Sequence, residues 1–170
     1  MAQNTKPNII MMVADDMGYG DFGKFNNGYV KTPNLDSLID EGTCLSQHYS
    51  GAPVCSPARA ALLTGRYPLR TGVISPAETW GQDRLSTRET TIGDYFKVIG
   101  YKTGLIGKWH NGAESFETNF QEGEQIMLGG MSDHFNVPVR DLNNNKLWDK
   151  GEDHIDKPQY YYCLLYTSPS

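Results

Sequence analysis

The stretch from Thr91 to Gly107, TIGDYFKVIGYKTGLIG, predicts a helix followed directly by a strand. Thr91 and Asp94 have the spacing of a capping box, which satisfies free backbone groups at a helix start. The apolar side chains that follow recur at helical spacing, at Ile92, Tyr95, Phe96 and Ile99. Gly100 then ends the helix, and Tyr101 to Gly107 is predicted to be a strand. This stretch therefore predicts one helix–strand unit of an α/β domain.

Similar elements precede it along the chain. Asn8 to Ala14 is predicted to be a short strand, and from Ile9 onward it is an apolar run of the kind that is buried in a parallel sheet. Thr32 to Gly42 is predicted to be a helix with Thr32 as its N-cap, and Cys44 to Tyr49 is predicted to be a strand. Ser56 to Leu63 is predicted to be a helix with Ser56 as its cap. This alternation favours an α/β fold with a mainly parallel sheet flanked by helices.

The alternation of predicted strands and helices is not recognisable after Gly112. Ala113 to Asn136 is polar and glycine-rich, which is typical of loops. Residues 163–170 follow three tyrosines with no recognisable pattern, and we interpret them as a tail that is either a truncation or a sequence artefact.

The composition excludes several classes of protein. The 170 residues are 38% hydrophobic and 21% charged, which is typical of a globular protein, and no segment is long enough to span a bilayer. A net charge of -5 argues against a nucleic-acid partner. Three cysteines cannot all pair with one another. Met1 to Lys6 lacks the apolar stretch of a secretory signal, so the expected location is cytoplasmic, or periplasmic or secreted if a leader is missing.

The first candidate site is Cys55-Ser56-Pro57-Ala58-Arg59. Cys55 lies just before a predicted helix whose free N–H groups favour negative charge, and Arg59 follows one turn later on the same side. An arginine in the first turn opposes the helix dipole at a cost of a few tenths of a kcal/mol, which suggests a functional reason for it. A buried thiol beside a solvated arginine is the alternative, and the five residues leave both interpretations open.

Two further candidates follow predicted strands. Asp15 and Asp16 come after an apolar strand, and their oxygens suit Ca²⁺ or Mg²⁺ if the chain turns there; the alternative is a solvated polar turn. Lys108 and His110 lie on one side of Trp109 if the chain is extended, where they could contact an oxyanion; the alternative is a surface lysine beside a packed tryptophan.

A fourth pattern is weaker. Its acids and amides resemble a calcium loop, but Lys146 stands where the sharp turn needs a glycine, so a hydrophilic turn is preferred. The residues concerned are Asp141, Asn143, Asn145, Asp149 and Glu152. We interpret His48, His134 and His154 as ordinary polar residues.

The longer run from Cys55 to Arg66, with Leu63-Thr64-Gly65-Arg66 at its end, resembles the signature of the type I, formylglycine-dependent sulfatases of the alkaline-phosphatase superfamily. Ala14 to Asp21 resembles the first metal-binding segment of that family, and Gly107 to His110 resembles its Gly-Lys-Trp-His element. The resemblance covers Pro7 to about Gly112. Asn111 is a departure, since many members have an apolar residue after the histidine.

The resemblance implies a mechanism. A separate maturation enzyme oxidises Cys55 to formylglycine, and one hydroxyl of the aldehyde hydrate attacks sulfur and expels the alcohol. Asp15, Asp16 and residue 55 hold Ca²⁺ or Mg²⁺, while Arg59 and Lys108 neutralise charge around the sulfate. The other hydroxyl then loses its proton with help from His110, and sulfate leaves as the aldehyde re-forms. The implied substrate is a sulfated small molecule or glycan.

Two alternatives to this reading stay open. A phosphonate or phosphate-ester hydrolase of the same superfamily would use the same groups, and a non-catalytic binding fragment would keep Cys55 as a thiol. The family's remaining metal ligands, second lysine and second histidine come from later in a longer chain. Residues 1–162 are accordingly assigned to the N-terminal part of one catalytic domain, although the length of the chain would allow an ordinary domain. We therefore predict that these 170 residues alone have little or no sulfatase activity.

Overall fold

The structure is a computed structural model that describes residues 6–77, 81–131 and 137–142, together with the backbone of 162–169. The chain divides into two compact units. The sheet unit contains residues 1–13 and 50–170, and the small unit contains residues 14–49. His134, His154 and the weak calcium-loop pattern after Leu142 lie outside the described residues.

The described strands form one five-stranded sheet in the order β1-β5-β2-β3-β4. Strands β2 and β3 are parallel, whereas β5 runs antiparallel to β2 and β4 runs antiparallel to β3. The predicted α/β fold is confirmed, but the predicted mainly parallel sheet is mixed, since β2–β5 and β3–β4 are antiparallel. The strand bounds are Ile9–Ala14 for β1, Tyr101–Lys108 for β2, Glu122–Met127 for β3, Arg140–Leu142 for β4 and Tyr162–Pro169 for β5.

Strand β3 carries a bulge opposite the end of β2. Ile106 pairs with Glu124 and Gly107 pairs with Ile126, so Gln125 is an extra residue on β3. Gln125 has a φ of 51°, and its N–H donates to Asp141 Oδ1 at 2.6 Å. A carboxylate on β4 thus satisfies a backbone group that the bulge removes from the β2–β3 ladder.

Five α-helices lie in the described residues, and their starts test the predicted caps. They are α1 at Pro33–Glu41, α2 at Cys55–Thr64, α3 at Pro68–Thr71, α4 at Ile92–Val98 and α5 at Ala113–Asn119. The predicted N-cap Thr32 and the capping box of Thr91 and Asp94 are confirmed. Helix α2 begins one residue earlier than predicted, so Ser56 lies inside the helix and does not cap it.

Three sequence-based expectations about elements need correction. Cys44 to Tyr49 is not a strand but an irregular segment with a turn, and the side chains of Leu45 and Tyr49 are exposed. The stretch from Ala113 onward is not a loop, because it contains α5 and β3. The sequence predicts no strand near the carboxyl end, where β5 pairs with β2 along seven residues of β2, Tyr101 to Gly107.

The largest apolar cluster of the sheet unit forms around three aromatic rings. Trp109 packs edge-on against Phe116 and Phe120, with ring centroids 5.4 and 5.6 Å away. The other buried members are Leu63, Leu105, Ile126 and Leu142. Tertiary burial of Phe116 and Phe120 explains why α5 forms from a segment with little apolar periodicity. The cluster fixes the end of β2, where Trp109 follows the last strand residue.

The small unit is held together by local contacts around α1. The N–H of Gly23 donates to the Thr32 hydroxyl at 2.8 Å, and the N–H of Lys24 donates to Asp36 at 3.1 Å. Lys24 also forms an ion pair with Asp40. These contacts tie a 3₁₀ helix at Gly23–Phe25 to the first turn of α1. Among the described residues of the whole chain, no helix combines the length and apolar character that a membrane crossing requires.

Candidate active site

Cys55 occupies the first position of α2 and is half-buried with a free thiol. The next residue anchors this end of the helix, since the fully buried Ser56 hydroxyl donates to the Asp83 carbonyl at 2.8 Å. The far end is closed by Gly65, whose left-handed φ of 66° lets its N–H donate to Ala61. The first N–H groups of α2 have no acceptor within the helix and therefore favour an anion near Cys55.

Arg59 and Lys108 meet although 49 residues separate them. Arg59 Nη1 donates to the Lys108 carbonyl at 2.6 Å, and both side chains are buried. This bond joins the first turns of α2 to the carboxyl end of β2. Both residues also line one pocket, and two cations in one region make it a favourable place for an anionic group.

The backbone turns sharply where the Lys-Trp-His triplet ends. Strand β2 stops at Lys108, and His110 has a left-handed φ of 50°, so the alternation of an extended chain does not apply. Lys108, Trp109 and His110 are all buried. Trp109 Nε1 donates to the Gly112 carbonyl at 2.6 Å. The tryptophan is therefore packed as expected, but the lysine is not a surface residue.

The His110 imidazole is bound through one ring nitrogen. Nε2 lies 3.0 Å from the Pro76 carbonyl, while Nδ1 is buried and has no hydrogen-bond partner among the described residues. Burial lowers the pKa of His110, and the charges of Lys108 and Arg59 lower it further. The Pro76 carbonyl and Asp83 oppose this shift only in part. The net lowering favours a neutral imidazole at neutral pH.

Several contributors to this region carry no motif. Asp83 is buried beside α2, and Pro76 contributes only its backbone carbonyl. Asn111, the departure from the family pattern, is fully buried, and its carbonyl accepts from the Leu85 N–H at 3.0 Å and from the Ser115 hydroxyl at 2.5 Å. Asn111 thus joins a loop to α5. A lone acid or asparagine in a polar loop gives no signal of such a role.

A small pocket lies between α2 and the sheet. Arg59 and Lys108 are its charged lining residues, and its volume is about 20 Å³. The apolar lining residues are Met11, Val13, Leu62, Leu63, Leu105 and Trp109. Such a volume has room for about one water molecule, so the pocket is too small for a sulfate ester.

Asp15 and Asp16 belong to the small unit and follow β1 directly. Asp16 has a left-handed φ of 60°, so the chain does turn at the pair, as a shared site would require. Asp15 is half-buried and Asp16 is exposed. The two carboxylates suit a hard cation by their chemistry. Within the described part of either unit, no group of three or more His, Cys, Asp and Glu side chains could hold a metal ion.

A comparison with protein-family models matches residues 7–163 to the family described as Sulfatase. The chain belongs to the sulfatase family. The match extends beyond Gly112, where the motif-based resemblance ends, and the suspected family is confirmed.

Curated relatives agree with this membership. Arylsulfatase H of Canis lupus familiaris is 48% identical over 126 residues, which are 70% of this chain and 22% of that protein. Human steryl-sulfatase is 45% identical over 114 residues, covering 64% of this chain and 20% of that protein. Human arylsulfatase G is 39% identical over 134 residues, covering 78% of this chain and 24% of that protein. This sulfatase-family chain thus spans about a fifth of the length of these relatives.

A solved structure supports the fold. It comes from work on the metabolism of multiple glycosaminoglycans by Bacteroides thetaiotaomicron. The TM-score is 0.60 at 22% identity, and the match covers 85% of this sulfatase-family chain and 34% of the other chain. At this identity the similarity concerns the fold alone.

Proposed function

We propose that this chain forms part of the active site of an enzyme that hydrolyses sulfate esters, with a nucleophile derived from Cys55. The observation that supports this most directly is that two buried cations, Arg59 and Lys108, line one pocket at the place where α2 meets the end of β2. Family membership supports the same reaction. The substrate in this proposal is a sulfated small molecule or glycan.

In this proposal the functional residues of the sheet unit have separate roles in the reaction. Residue 55, as the hydrate of formylglycine, offers a hydroxyl that attacks sulfur, the ester S–O bond breaks and the alcohol leaves. The free N–H groups of α2 favour the negative charge that develops near residue 55. Arg59 and Lys108 neutralise charge on the sulfate. A neutral His110 takes the proton of the remaining hydroxyl, after which the bond from carbon to the sulfate oxygen breaks and the aldehyde re-forms. A serine nucleophile would need a second attack at sulfur instead.

A divalent cation completes the proposal. Asp15 and Asp16 would hold Ca²⁺, or Mg²⁺, together with residue 55, because carboxylate oxygens are the ligands that these cations prefer. When bound, the cation supplies positive charge that polarises a sulfate oxygen. The left-handed turn at Asp16 supports the carboxylate part of this ligand set.

The modification of Cys55 is the most direct test. The chain is co-produced with a formylglycine-generating enzyme, and the peptides that contain Cys55 and Cys44 are compared by mass spectrometry. We expect an aldehyde at Cys55 only, while Cys44, an exposed free thiol outside the motif, stays unmodified as the internal control. An unmodified Cys55 under these conditions would contradict the proposal and favour the non-catalytic fragment.

The transferred group needs a separate test, because cations at the end of a strand also suit phosphate. Matched sulfate and phosphate monoesters of one phenol are compared as substrates of the matured full-length enzyme. We expect a higher kcat/KM for the sulfate ester. A preference for the phosphate ester would replace this proposal with the phosphate-ester or phosphonate hydrolase.

A further inference from the structure

The His110 side chain has a defined protonation pattern. A carbonyl oxygen can only accept a hydrogen bond, so the 3.0 Å contact with Pro76 requires the hydrogen of the neutral ring to lie on Nε2. Nδ1 then carries a lone pair and no hydrogen. The left-handed backbone of His110 and its nearly complete burial leave the ring little freedom to turn.

Gly130 lies against the same ring. A methyl carbon added to Gly130 would lie 2.5 Å from Nε2 and 3.0 Å from Nδ1 of His110, and closer still to Cε1. These separations are shorter than van der Waals contact, so the ring would have to move. The φ of Gly130 lies outside the left-handed region, so its backbone does not require a glycine. The requirement at this position is space for the imidazole.

Within the described part of the chain, no group donates a hydrogen bond to the buried Nδ1 atom. Buried polar atoms in folded proteins are almost always hydrogen-bonded, and an exception calls for an explanation. A thiol is a weak donor, whereas each hydroxyl of an aldehyde hydrate donates well. The lone pair of Nδ1 is therefore suited to a hydroxyl donor, and under the proposed function that donor would be the formylglycine hydrate at residue 55.

We propose that Gly130 and the Pro76 carbonyl position His110 as the Nε2–H tautomer, which leaves Nδ1 as the ring atom that can accept a proton. Gly130 acts through His110 and is a positioning residue. This inference rests on the proposed function for the identity of the proton donor, but the tautomer and the contact with Gly130 do not depend on turnover.

The first test measures the tautomer directly. The full chain is labelled with ¹⁵N-histidine, and two-bond nitrogen–proton correlations are recorded at neutral pH, with His110→Gln to assign the signals. We expect a protonated Nε2 and an unprotonated Nδ1 for His110. A ring protonated at Nδ1, or at both nitrogens, would overturn the proposal whether or not any variant folds.

The second test uses two adjacent glycines as a matched pair. A methyl group on Gly129 would meet no atom within 4 Å, and its φ is also outside the left-handed region. We expect Gly130→Ala to shift the His110 ring signals, while Gly129→Ala leaves them unchanged. Equal spectra for the two variants would overturn the role of Gly130.

The third test measures catalysis in the matured full-length enzyme. We expect Gly130→Ala to lower kcat by about 100-fold, the scale of a misplaced catalytic group, and to move the acidic limb of the pH profile, with KM little changed. Gly129→Ala should match the wild type. An unchanged pH profile in Gly130→Ala would overturn the positioning role. An enzyme with the expected tautomer but no activity toward sulfate esters would instead contradict the proposed function.

Discussion

The groups at the end of β2 influence one another through charge as well as contact. Burial and the positive charges of Lys108 and Arg59 all disfavour the protonated form of His110, so its pKa is lowered. The same imidazole is fixed through Nε2 by a carbonyl. A histidine that stays neutral near two cations can accept a proton at neutral pH, which a protonated one could not do.

The lowered pKa of His110 predicts a pH dependence of stability. Below the unfolded pKa of about 6.5, the unfolded chain binds a proton that the folded chain resists, so the free energy of unfolding falls as the pH falls. His110→Gln removes this contribution and should show a flatter dependence between about pH 7.5 and 5 in urea titrations. His48→Gln, at an exposed position, is the control and should follow the wild type. Parallel curves for wild type and His110→Gln would refute the shift.

Asn111 gives a second prediction at this scale. Its amide is fully buried, and Oδ1 has no hydrogen-bond partner among the described residues. Asn111→Asp places a charge there and should destabilise the protein by about 3 kcal/mol or more. Asn111→Leu removes the unsatisfied acceptor but also the Nδ2–H that donates to the Trp109 carbonyl at 3.2 Å, so it should cost about 1–3 kcal/mol, less than the aspartate. Urea unfolding measures both variants, and an aspartate as stable as leucine would contradict the prediction.

At the scale of elements, the start of α4 depends on one carboxylate. Burial would raise the pKa of Asp94, but hydrogen bonds from Lys97 and from the N–H and hydroxyl of Thr91 outweigh it, so the pKa is lowered. The carboxylate accepts from the Thr91 N–H at 2.9 Å and lies 2.8 Å from the Lys97 ammonium. The helix that leads into β2 is thus fixed by an ionised group.

We therefore expect Asp94→Ala to lower stability by about 1 kcal/mol at neutral pH, as loss of a cap does. Because the folded pKa is lowered, this contribution is present above the unfolded pKa of about 3.9 and is lost as the pH falls through the folded value. The difference from wild type in urea titrations should shrink in acid. Glu124→Ala, which removes an exposed acid from β3, is the control. A difference that stays constant in acid would rule out the capping carboxylate as its source.

The elements that could be predicted from sequence have recognisable start signals in the sequence itself. Helices α1 and α4 begin after the N-cap residues Thr32 and Thr91, both of which the sequence predicts. Helix α5 has no such signal, because burial of Phe116 and Phe120 against Trp109 stabilises it. Cys44 to Tyr49 mixes apolar and polar residues, has no clear start or end signal, and forms an irregular segment with a turn.

The candidate site shows the same division. Cys55, Arg59, Lys108 and His110 could be named because motifs contain them. The Pro76 carbonyl and Gly130 could not, since a backbone acceptor and an absent side chain acquire meaning only from what the fold brings next to them. Sequence motifs identify the reactive side chains, whereas the contacts that orient those side chains form only in the folded protein.

At the scale of the whole molecule, one aromatic cluster connects the sheet to the helices around the site. Phe116 is fully buried and packs on Trp109. Trp109 is the residue between Lys108 and His110 in the sequence. Phe116→Ala should lower the free energy of unfolding by about 3–5 kcal/mol, the cost of removing a large buried side chain. Tyr95→Ala removes an exposed ring from α4 and should cost much less in the same urea measurements. Equal losses would show that the cluster is not the core of the sheet unit.

The share of its relatives' length that this chain covers gives a prediction about activity. It spans about a fifth of the relatives' length, and the family resemblance assigns further catalytic groups to later sequence. We expect the matured 170-residue chain to hydrolyse a chromogenic aryl sulfate no faster than its Cys55→Ala variant. Steady turnover that requires Cys55 would show that the groups in these residues suffice.

The bulge in β3 also controls how far the following chain extends. Gly130 lies three residues beyond Met127, the residue of β3 that pairs with Lys108. Deleting Gln125 would draw the later chain back by one residue, about 3.3 Å, and Met131 would arrive where Gly130 now lies. A bulky thioether would then occupy the room that the imidazole needs. Chain length, independent of residue type, is therefore itself under constraint here: an insertion or deletion in this strand would alter acid–base chemistry on the neighbouring one.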